Sequence, residues 1–125
     1  MAAQEQAAVR VLVVDDSQVF RNVLSSLVVS TPGFEVVGTA SSGREALQLV
    51  AQLAPQLVLM DAHMPELDGV ETALRIRRGD PQVVVLLLTA TKRAPVSDSS
   101  LAVGDKRDLS SEWLEDFWHR HASAR

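Results

Sequence analysis

Three apolar runs constrain the fold of this chain more than any other feature. They are Val9–Val14, residues 57–60 and residues 83–88, and apart from Arg10 they consist of Val, Leu and Met. Such runs are typical of parallel strands that are covered on both faces. The segments between them repeat apolar residues at the spacing of amphipathic helices. This alternation predicts an α/β fold, a doubly wound parallel sheet with helices on both faces.

Capping and turn residues separate these strands and predict three helices between them. In chain order, the signals are a cap at Ser17, a stop at Thr31-Pro32-Gly33, a second strand at residues 34–37, a cap at Ser41 or Ser42, a stop at Ala54-Pro55, and a stop at Gly79-Asp80-Pro81. Each connection is short, so every helix is expected to bring the chain back to the amino ends of the strands, and the next strand then runs parallel to the last.

After Thr89 the pattern weakens. Pro95 fits the first turn of a fourth helix that would extend to about Val103. We expect the fifth strand at residues 105–109, where the charged sequence suits only an edge position, so this last strand is degenerate. Ser111 would then cap a final helix with one apolar face. That face consists of Trp113, Leu114, Phe117 and Trp118, and it is most simply expected to pack into the core.

The length of the chain sets its domain organisation. A total of 125 residues predicts one domain at residues 9–121, with short tails at 1–8 and 122–125. Hydrophobic residues make up 46% of the chain, which is enough for a core. The chain has no cysteine, which excludes disulfides and thiol catalysis. Because the sequence stops at Arg125, we expect no separate DNA-binding or catalytic domain.

Charge and the N-terminal sequence narrow the location and the partners. A net charge of −4 and a pI near 5.3 argue against a nucleic-acid surface. No signal-peptide pattern precedes Val9, and no apolar run reaches the ~20 residues that a membrane span needs. We therefore expect a cytoplasmic protein that binds neither nucleic acid nor membrane.

Each apolar run ends in a side chain that carries oxygen. Asp15 and Asp16 follow the first run, Asp61 follows the second, and Thr89 follows the third. Because the carboxyl ends of parallel strands meet at one edge, these residues are expected to share a site. Two carboxylates ~5 Å apart repel by roughly 3 kcal/mol at an effective dielectric of ~20, and Mg²⁺ is the hard cation that relieves this repulsion.

Such a site suits phosphoryl chemistry. Asp61 would be a nucleophile toward an activated phosphoryl group, Thr89 would bond a phosphoryl oxygen, and the small Ala90 would leave room. Each acid also has an ordinary explanation when it is taken alone. Asp16 before Ser17 can belong to a helix cap, and Asp68 before Gly69 can simply form a turn. It is the occurrence of acids at several strand ends together that favours a functional site.

Three stretches resemble the receiver domain of two-component response regulators. They are Val-Leu-Val-Val-Asp15-Asp16-Ser, Leu-Met-Asp61-Ala-His-Met-Pro65-Glu-Leu-Asp68-Gly69 and Leu-Leu-Leu-Thr89-Ala90, and the resemblance covers about residues 9–104. It implies a flavodoxin-like receiver fold with five parallel strands in the order 2-1-3-4-5. It also implies that Asp61 is the phosphoacceptor, charged by a histidine kinase or phosphotransfer protein.

The same resemblance assigns roles to the other site residues. Asp16 would bind Mg²⁺ directly, Asp15 would bind it through water, and the backbone carbonyl of His63 would be a further ligand, with Asp61 completing the metal site. Thr89 would be the switch hydroxyl. His63 and Thr91 would tune the rate of dephosphorylation.

The chain departs from the family pattern near its C-terminus. Receiver domains carry a lysine in this region, within a segment like Gly-Ala-x-Gly-Tyr-Leu-x-Lys. When Gly104 is aligned with the first glycine of that segment, Ser111 falls at the position of the lysine and Asp108 at the position of the switch aromatic. The chain has only two lysines. Lys106 would need a five-residue slip to substitute for the family lysine, and Lys92 falls in another loop, so substitution by either one is the less favoured alternative. A hydroxyl in place of the ammonium would exchange a bond worth roughly 1.5–3 kcal/mol for one nearer ~1 kcal/mol.

Three functions remain open from the sequence. The first is a phosphorylatable receiver that signals by protein contact, and the second is a receiver-like interaction module that works without phosphorylation. The third is an aspartyl-phosphate phosphatase, which is disfavoured because His63 stands where that class needs a second acid. Beyond self-phosphorylation from small donors and autodephosphorylation, no enzyme activity is expected. A downstream protein is the expected partner, and a homodimer through Trp113, Phe117 and Trp118 is a further option.

Overall fold

A computed structural model of the chain describes residues 8–65, 68–90 and 101–123. These residues form one five-stranded parallel sheet in the order β2-β1-β3-β4-β5, which confirms the predicted fold. The elements are β1 (Val9–Val14), α1 (Gln18–Val29), β2 (Phe34–Ala40), α2 (Gly43–Leu53), β3 (Leu57–Asp61), α3 (Gly69–Gly79), β4 (Val84–Thr89), β5 (Ala102–Asp105), a 3₁₀ turn (Lys106–Asp108) and α4 (Ser111–Ser123).

The first three helices begin at side-chain caps. Ser17, Ser42 and Asp68 each accept a hydrogen bond from the backbone N–H three residues on, at 3.2, 3.1 and 2.9 Å. These bonds satisfy donors that the first turn of a helix leaves unpaired. Ser42 is therefore the cap of α2, the second of the two residues that the sequence offered. The caps fix where the chain leaves each strand end and turns into a helix.

The central strands are buried on both faces. Alternate residues of β1, β3 and β4 point to opposite sides, because side chains alternate along a strand. One side packs against α2 and α3 and contains Leu12, Val14, Val58, Met60, Val85 and Leu87. The other side packs against α1 and α4 and contains Val11, Val13, Leu57, Leu59, Leu86 and Leu88. This double coverage explains why the strands read as unbroken apolar runs.

The fifth strand lies earlier in the chain than the sequence prediction placed it. It comprises Ala102–Asp105 and pairs in parallel with β4, with Asp105 opposite Thr89. Of the charged residues expected in it, Asp105 ends the strand, and Lys106–Asp108 form the 3₁₀ turn that follows. Val103 is a strand residue and does not end a helix. The proposed helix beginning near Pro95 lies outside the described residues.

A small residue allows β5 to pack beneath the last helix. Gly104 is buried, and a Cβ added there would lie 3.0 Å from the ring of Trp113. The cap of that helix is Ser110, whose Oγ accepts the N–H of Trp113 at 3.0 Å, and not Ser111 as predicted. The strand is thus defined by its pairing with β4 and by the ring above it.

The apolar face of α4 belongs to the core. Phe117 and Trp118 are 3% and 9% exposed, and Trp118 meets the ring of Phe34 edge-on at a centroid distance of 6.4 Å. Trp113 is half-buried and stacks on Phe117. The sequence favoured core packing for these aromatic residues and offered a dimer surface as an alternative. Burial supports core packing for Phe117 and Trp118, whose side chains lie within the chain itself.

Within the three described ranges, no helix is both long enough and apolar enough to cross a bilayer.

One glycine controls how closely α3 approaches β3. A Cβ on Gly69 would lie 2.0 Å from the carbonyl oxygen of Asp61 and 2.9 Å from the Cα of Ala62. Both neighbours are backbone atoms, so no side-chain rotation can relieve the overlap. The first residue of α3 therefore has to be glycine for the end of β3 to keep its position.

Gly69→Ala is expected to lower the free energy of unfolding by ~1–3 kcal/mol or more, as overpacking of a dense interior does. Urea unfolding followed by tryptophan fluorescence measures this change. Gly79→Ala is the matched control at the other end of α3, where an added Cβ meets nothing within 4 Å. Equal stability of the two variants would show that β3 and α3 do not approach as described.

Candidate functional site

The ends of β1, β3 and β4 form one edge of the sheet. The register pairs Val14 with Met60 and Asp61 with Leu88, so neighbouring strands finish at nearly the same level. Backbone hydrogen bonds continue past the strands, with Asp15 N donating to Ala40 O at 3.1 Å. The residues that follow each apolar run are therefore held by the sheet itself.

Three carboxylates converge at this edge, as the sequence predicts. Asp15, Asp16 and Asp61 each present an oxygen, and these oxygens lie within 4.8 Å of one another. Asp15 is 0% and Asp61 8% exposed, while Asp16 is open to solvent. Two of the acids are thus fixed by burial and the third is accessible from outside.

Local hydrogen bonds orient the buried acids. Asp15 Oδ1 accepts the N–H of Ser17 at 2.9 Å, and Asp61 Oδ1 accepts the N–H of His63 at 3.1 Å. Arg21 Nη1 donates to the backbone carbonyl of Asp15 at 2.8 Å. These contacts come from residues that follow directly in the chain or lie in the first turns of α1. They set the rotamers of both carboxylates without neutralising them.

A lysine ammonium lies against the two buried acids. Lys106 Nζ is 3.2 Å from Asp15 Oδ2 and 3.6 Å from Asp61 Oδ1, and its side chain is 18% exposed. The ammonium also sits 4.1 Å from the centroid of the Phe20 ring. Lys106 immediately follows the last residue of β5, one position beyond the pairing of Asp105 with Thr89.

The prediction that Ser111 stands in the lysine's place is therefore wrong. Ser111 Oγ accepts a hydrogen bond from Thr31 Oγ1 at 3.1 Å. Thr31 follows α1, and its carbonyl accepts the N–H of Phe34 at the start of β2. The amino ends of parallel strands meet at the opposite edge from Asp61. Ser111 thus lies across the sheet from the carboxylates.

The position of the switch aromatic shifts with the lysine. It was assigned to Asp108, which lies exposed in the 3₁₀ turn. Counted back from Lys106 by the same offset, the position falls on Val103, a residue of β5 that is 36% exposed. The apolar stretch before Gly104 was the signal for an earlier strand.

The remaining predicted site residues differ in their exposure to solvent. Thr89 is 3% exposed at the end of β4, and Ala90 next to it is open to solvent. The side chain of His63 is exposed, two residues beyond Asp61. Thr91 lies outside the described residues. The metal-ligand role of the His63 carbonyl stays a prediction.

The charges of the site favour a divalent cation. Three carboxylates and the Lys106 ammonium leave a formal charge of −2 among these described groups. Carboxylate oxygens with one side open to water are the donor set that Mg²⁺ prefers. Burial raises the pKa of Asp61 above its ordinary value, and the charges of Asp15 and Asp16 act in the same direction. The hydrogen bond from the His63 N–H and the charge of Lys106 lower that pKa without cancelling the rise.

Comparison with known proteins identifies related sequences. The profile of the response regulator receiver domain matches residues 11–110. A protein-glutamate methylesterase/protein-glutamine glutaminase from Nocardioides sp. is 51% identical over 90 residues, or 71% of this chain. A protein of the same name from Geobacillus kaustophilus is 45% identical over 83 residues. The matched parts make up 25% and 24% of those relatives, so the chain corresponds to about a quarter of their length.

Solved structures agree in fold over nearly the whole chain. The signal receiver domain of the response regulator NarL from Mycobacterium tuberculosis is 27% identical, with a TM-score of 0.82 over 96% of this chain and 100% of that one. The response regulator domain of Thermotoga maritima CheB is 29% identical, with a TM-score of 0.74 over 94% and 98%.

Asp61→Asn is expected to raise the unfolding temperature of the metal-free protein at pH 7. Because the folded-state pKa of Asp61 is raised, its charged form is disfavoured in the fold, and this penalty is fully present above that pKa. The gain should shrink as pH falls through the folded pKa, since the native carboxyl is then protonated. Thermal unfolding in EDTA across a pH series measures this trend. The exposed Asp116→Asn is the control, and a gain for Asp61→Asn that grows toward low pH would contradict the interpretation.

Proposed function

The chain belongs to the response regulator receiver domain family, and we propose that it accepts a phosphoryl group on Asp61. The donor is a histidine kinase or a phosphotransfer protein, and the receiver unit comprises residues 9–121. One observation carries the proposal: the ammonium of Lys106 lies beside the carboxylate of Asp61 in a pocket with two further acids. The pocket thus combines a nucleophile, a metal-binding donor set and a fixed cation.

The transfer itself needs little from the protein beyond position and charge. An oxygen of Asp61 attacks phosphorus while the bond from phosphorus to the donor's leaving atom breaks, which leaves an acyl phosphate on the carboxyl group. Asp16 would hold Mg²⁺ directly, Asp15 through water, and the His63 carbonyl and Asp61 would complete its ligands. When bound, this cation neutralises the negative charge that gathers on the oxygens.

Lys106 and Thr89 complete the phosphoryl pocket. A phosphoryl group on Asp61 would bring acceptor oxygens into the reach of the Lys106 ammonium, and such charge-assisted hydrogen bonds are about twice as strong as neutral ones. Thr89 supplies the neutral bond at the neighbouring strand end, and Ala90 leaves space for the group. His63 and Thr91 stand where the family tunes the rate of dephosphorylation.

The output is proposed to be contact with another protein surface. Relatives that share 39–51% identity with this chain are named methylesterases and glutaminases, and the chain matches about a quarter of each. An effector domain of that catalytic class is therefore the downstream partner that these relatives favour. Val103 in the aromatic position suggests that the receiver's output face is modified.

The structure and the sequence disfavour the two alternative functions. A module that works without phosphorylation was favoured by the degenerate fifth strand and by the Trp113/Trp118 helix, but β5 pairs regularly with β4 and Trp118 is buried in the core. A phosphatase needs a second acid shortly after the nucleophile, where this chain has His63.

Acetyl phosphate with Mg²⁺ is expected to add ~80 Da, the mass of one phosphoryl group, to the intact chain. Asp61→Asn should take up nothing under the same conditions, because an amide does not form an acyl phosphate. Intact-mass spectrometry at short incubation times measures the adduct, and peptide mapping locates it. A wild-type mass that stays unchanged under saturating donor would contradict the proposed function.

Lys106→Ala is expected to weaken binding of beryllofluoride, a phosphoryl mimic, by about tenfold or more in the presence of Mg²⁺. The estimate follows from the roughly 1.5–3 kcal/mol of a hydrogen bond to a charged group. Ser111→Ala is the control, since Ser111 lies at the opposite edge of the sheet. Isothermal titration calorimetry distinguishes them. A loss of beryllofluoride affinity in Ser111→Ala with none in Lys106→Ala would contradict the role of Lys106 and would support the alignment that puts Ser111 at the position of the family lysine.

A further inference from the structure

The aromatic ring beside the lysine has no role in the chemistry described so far. Phe20 lies in the first turn of α1 and is half-buried, with its ring centroid 4.1 Å from Lys106 Nζ. We propose that Phe20 is a positioning residue, which holds the Lys106 ammonium at the phosphoryl pocket through a cation–π contact. This inference rests on the proposed function for its effect on phosphoryl binding, but the contact itself can be tested without it.

A closed ring of contacts connects the phenyl group to the acid site. Asp15 Oδ1 accepts the N–H of Ser17 at 2.9 Å, and Ser17 Oγ accepts the N–H of Phe20 at 3.2 Å. The phenyl ring then meets the ammonium of Lys106, which donates back to Asp15 Oδ2 at 3.2 Å. The helix cap that begins α1 therefore also fixes the height of the ring above the carboxylates.

The 3₁₀ turn anchors the backbone of the lysine, whereas only contacts at the far end of its side chain place the ammonium. Asp105 caps the 3₁₀ turn by accepting the N–H of Arg107 at 2.8 Å, and its carboxylate also binds the Arg107 guanidinium. This fixes the starting point of the Lys106 side chain. Four rotatable bonds remain between the backbone and the ammonium. The ion pair with Asp15 is one contact at the end of this side chain, and the Phe20 ring is a second contact that helps to keep the charge in the pocket.

An aromatic face suits this task better than another carboxylate. A ring attracts the cation through its quadrupole and accepts no directional hydrogen bond, so the ammonium keeps its three N–H groups for oxygen acceptors. A further acid would hold the lysine more tightly and would compete with the phosphoryl oxygens. Phe20 can therefore restrict the ammonium to the pocket and still let it turn from Asp15 toward a phosphoryl group on Asp61.

The first test observes the contact in the full chain without metal. The sequence contains only Lys92 and Lys106, so ¹³Cε-lysine labelling gives two signals, which Lys106→Arg assigns. The Lys106 ε-protons should show an upfield ring-current shift that Phe20→Leu removes and Phe20→Tyr retains. An unshifted wild-type signal, or a shift that survives in Phe20→Leu, overturns the proposal whatever the protein's function.

The second test measures the effect on the pocket by beryllofluoride titration with Mg²⁺. Phe20→Leu should weaken binding by about threefold to tenfold, the range expected for one partly exposed cation–π contact, and Phe20→Tyr should restore most of it. In a Lys106→Ala background, Phe20→Leu should have no further effect. A purely structural role would predict the same loss in both backgrounds, and that result overturns the proposal.

Phe34→Leu provides the matched control for this titration. Phe34 is also half-buried but lies at the start of β2, where its ring packs on Trp118. Thermal unfolding of both variants separates lost stability from lost binding. An equal loss of affinity in Phe34→Leu would count against a specific role for Phe20. If wild type fails to bind beryllofluoride, the proposed function fails, and the lysine spectra still decide the Phe20 contact.

Discussion

The mutual repulsion of three carboxylates at one edge of a buried sheet is the constraint on which this structure depends. Asp15 and Asp61 are held out of water by the same strands that form the core, so neither carboxylate can move away from the other into solvent. Burial makes this repulsion larger than it would be on a surface. The apolar packing of β1, β3 and β4 supplies the stability that keeps the acids in place.

The repulsion between the carboxylates is tolerated because a residue from a distant part of the chain places a positive charge beside them. Lys106 is separated from Asp15 by most of the sequence, yet β5 delivers it one residue beyond the sheet edge. Its single charge reduces the repulsion without removing it. The raised pKa of Asp61 reflects burial first, and then the remaining repulsion from Asp15 and Asp16. A pocket that is only partly neutralised retains attraction for Mg²⁺.

Most of the fold could be predicted from the sequence, because strands that are buried on both faces leave unbroken apolar runs. The acid site followed from the same pattern, since Asp15, Asp61 and Thr89 come directly after those runs. The last strand could not be predicted in this way. Ala102–Asp105 has four residues at the sheet edge, and pairing with β4 and packing beneath Trp113 define it more than its own composition does.

That short strand also explains why the lysine was misplaced. Laying Gly104 on the family's glycine assumed a longer strand, whereas Gly104 is itself inside β5 and packs under Trp113. The face of α4 posed a similar ambiguity, because helical apolar spacing is the same for a core contact and a protein interface. Only the neighbours, such as Phe34 against Trp118, distinguish the two.

The corrected alignment separates two properties that the family usually combines. The proposed chemistry at Asp61 requires the acids and a cation, and Lys106 supplies the cation from the end of β5. The resemblance implies an aromatic side chain for relay to an output surface, and counting back from Lys106 puts Val103 in that position. A β-branched aliphatic side chain has few rotamers and no ring to swing between two packed states. Under the proposed function, the pocket would therefore keep its phosphoryl chemistry, while its connection to the β5 surface would differ from that of receivers that carry the ring.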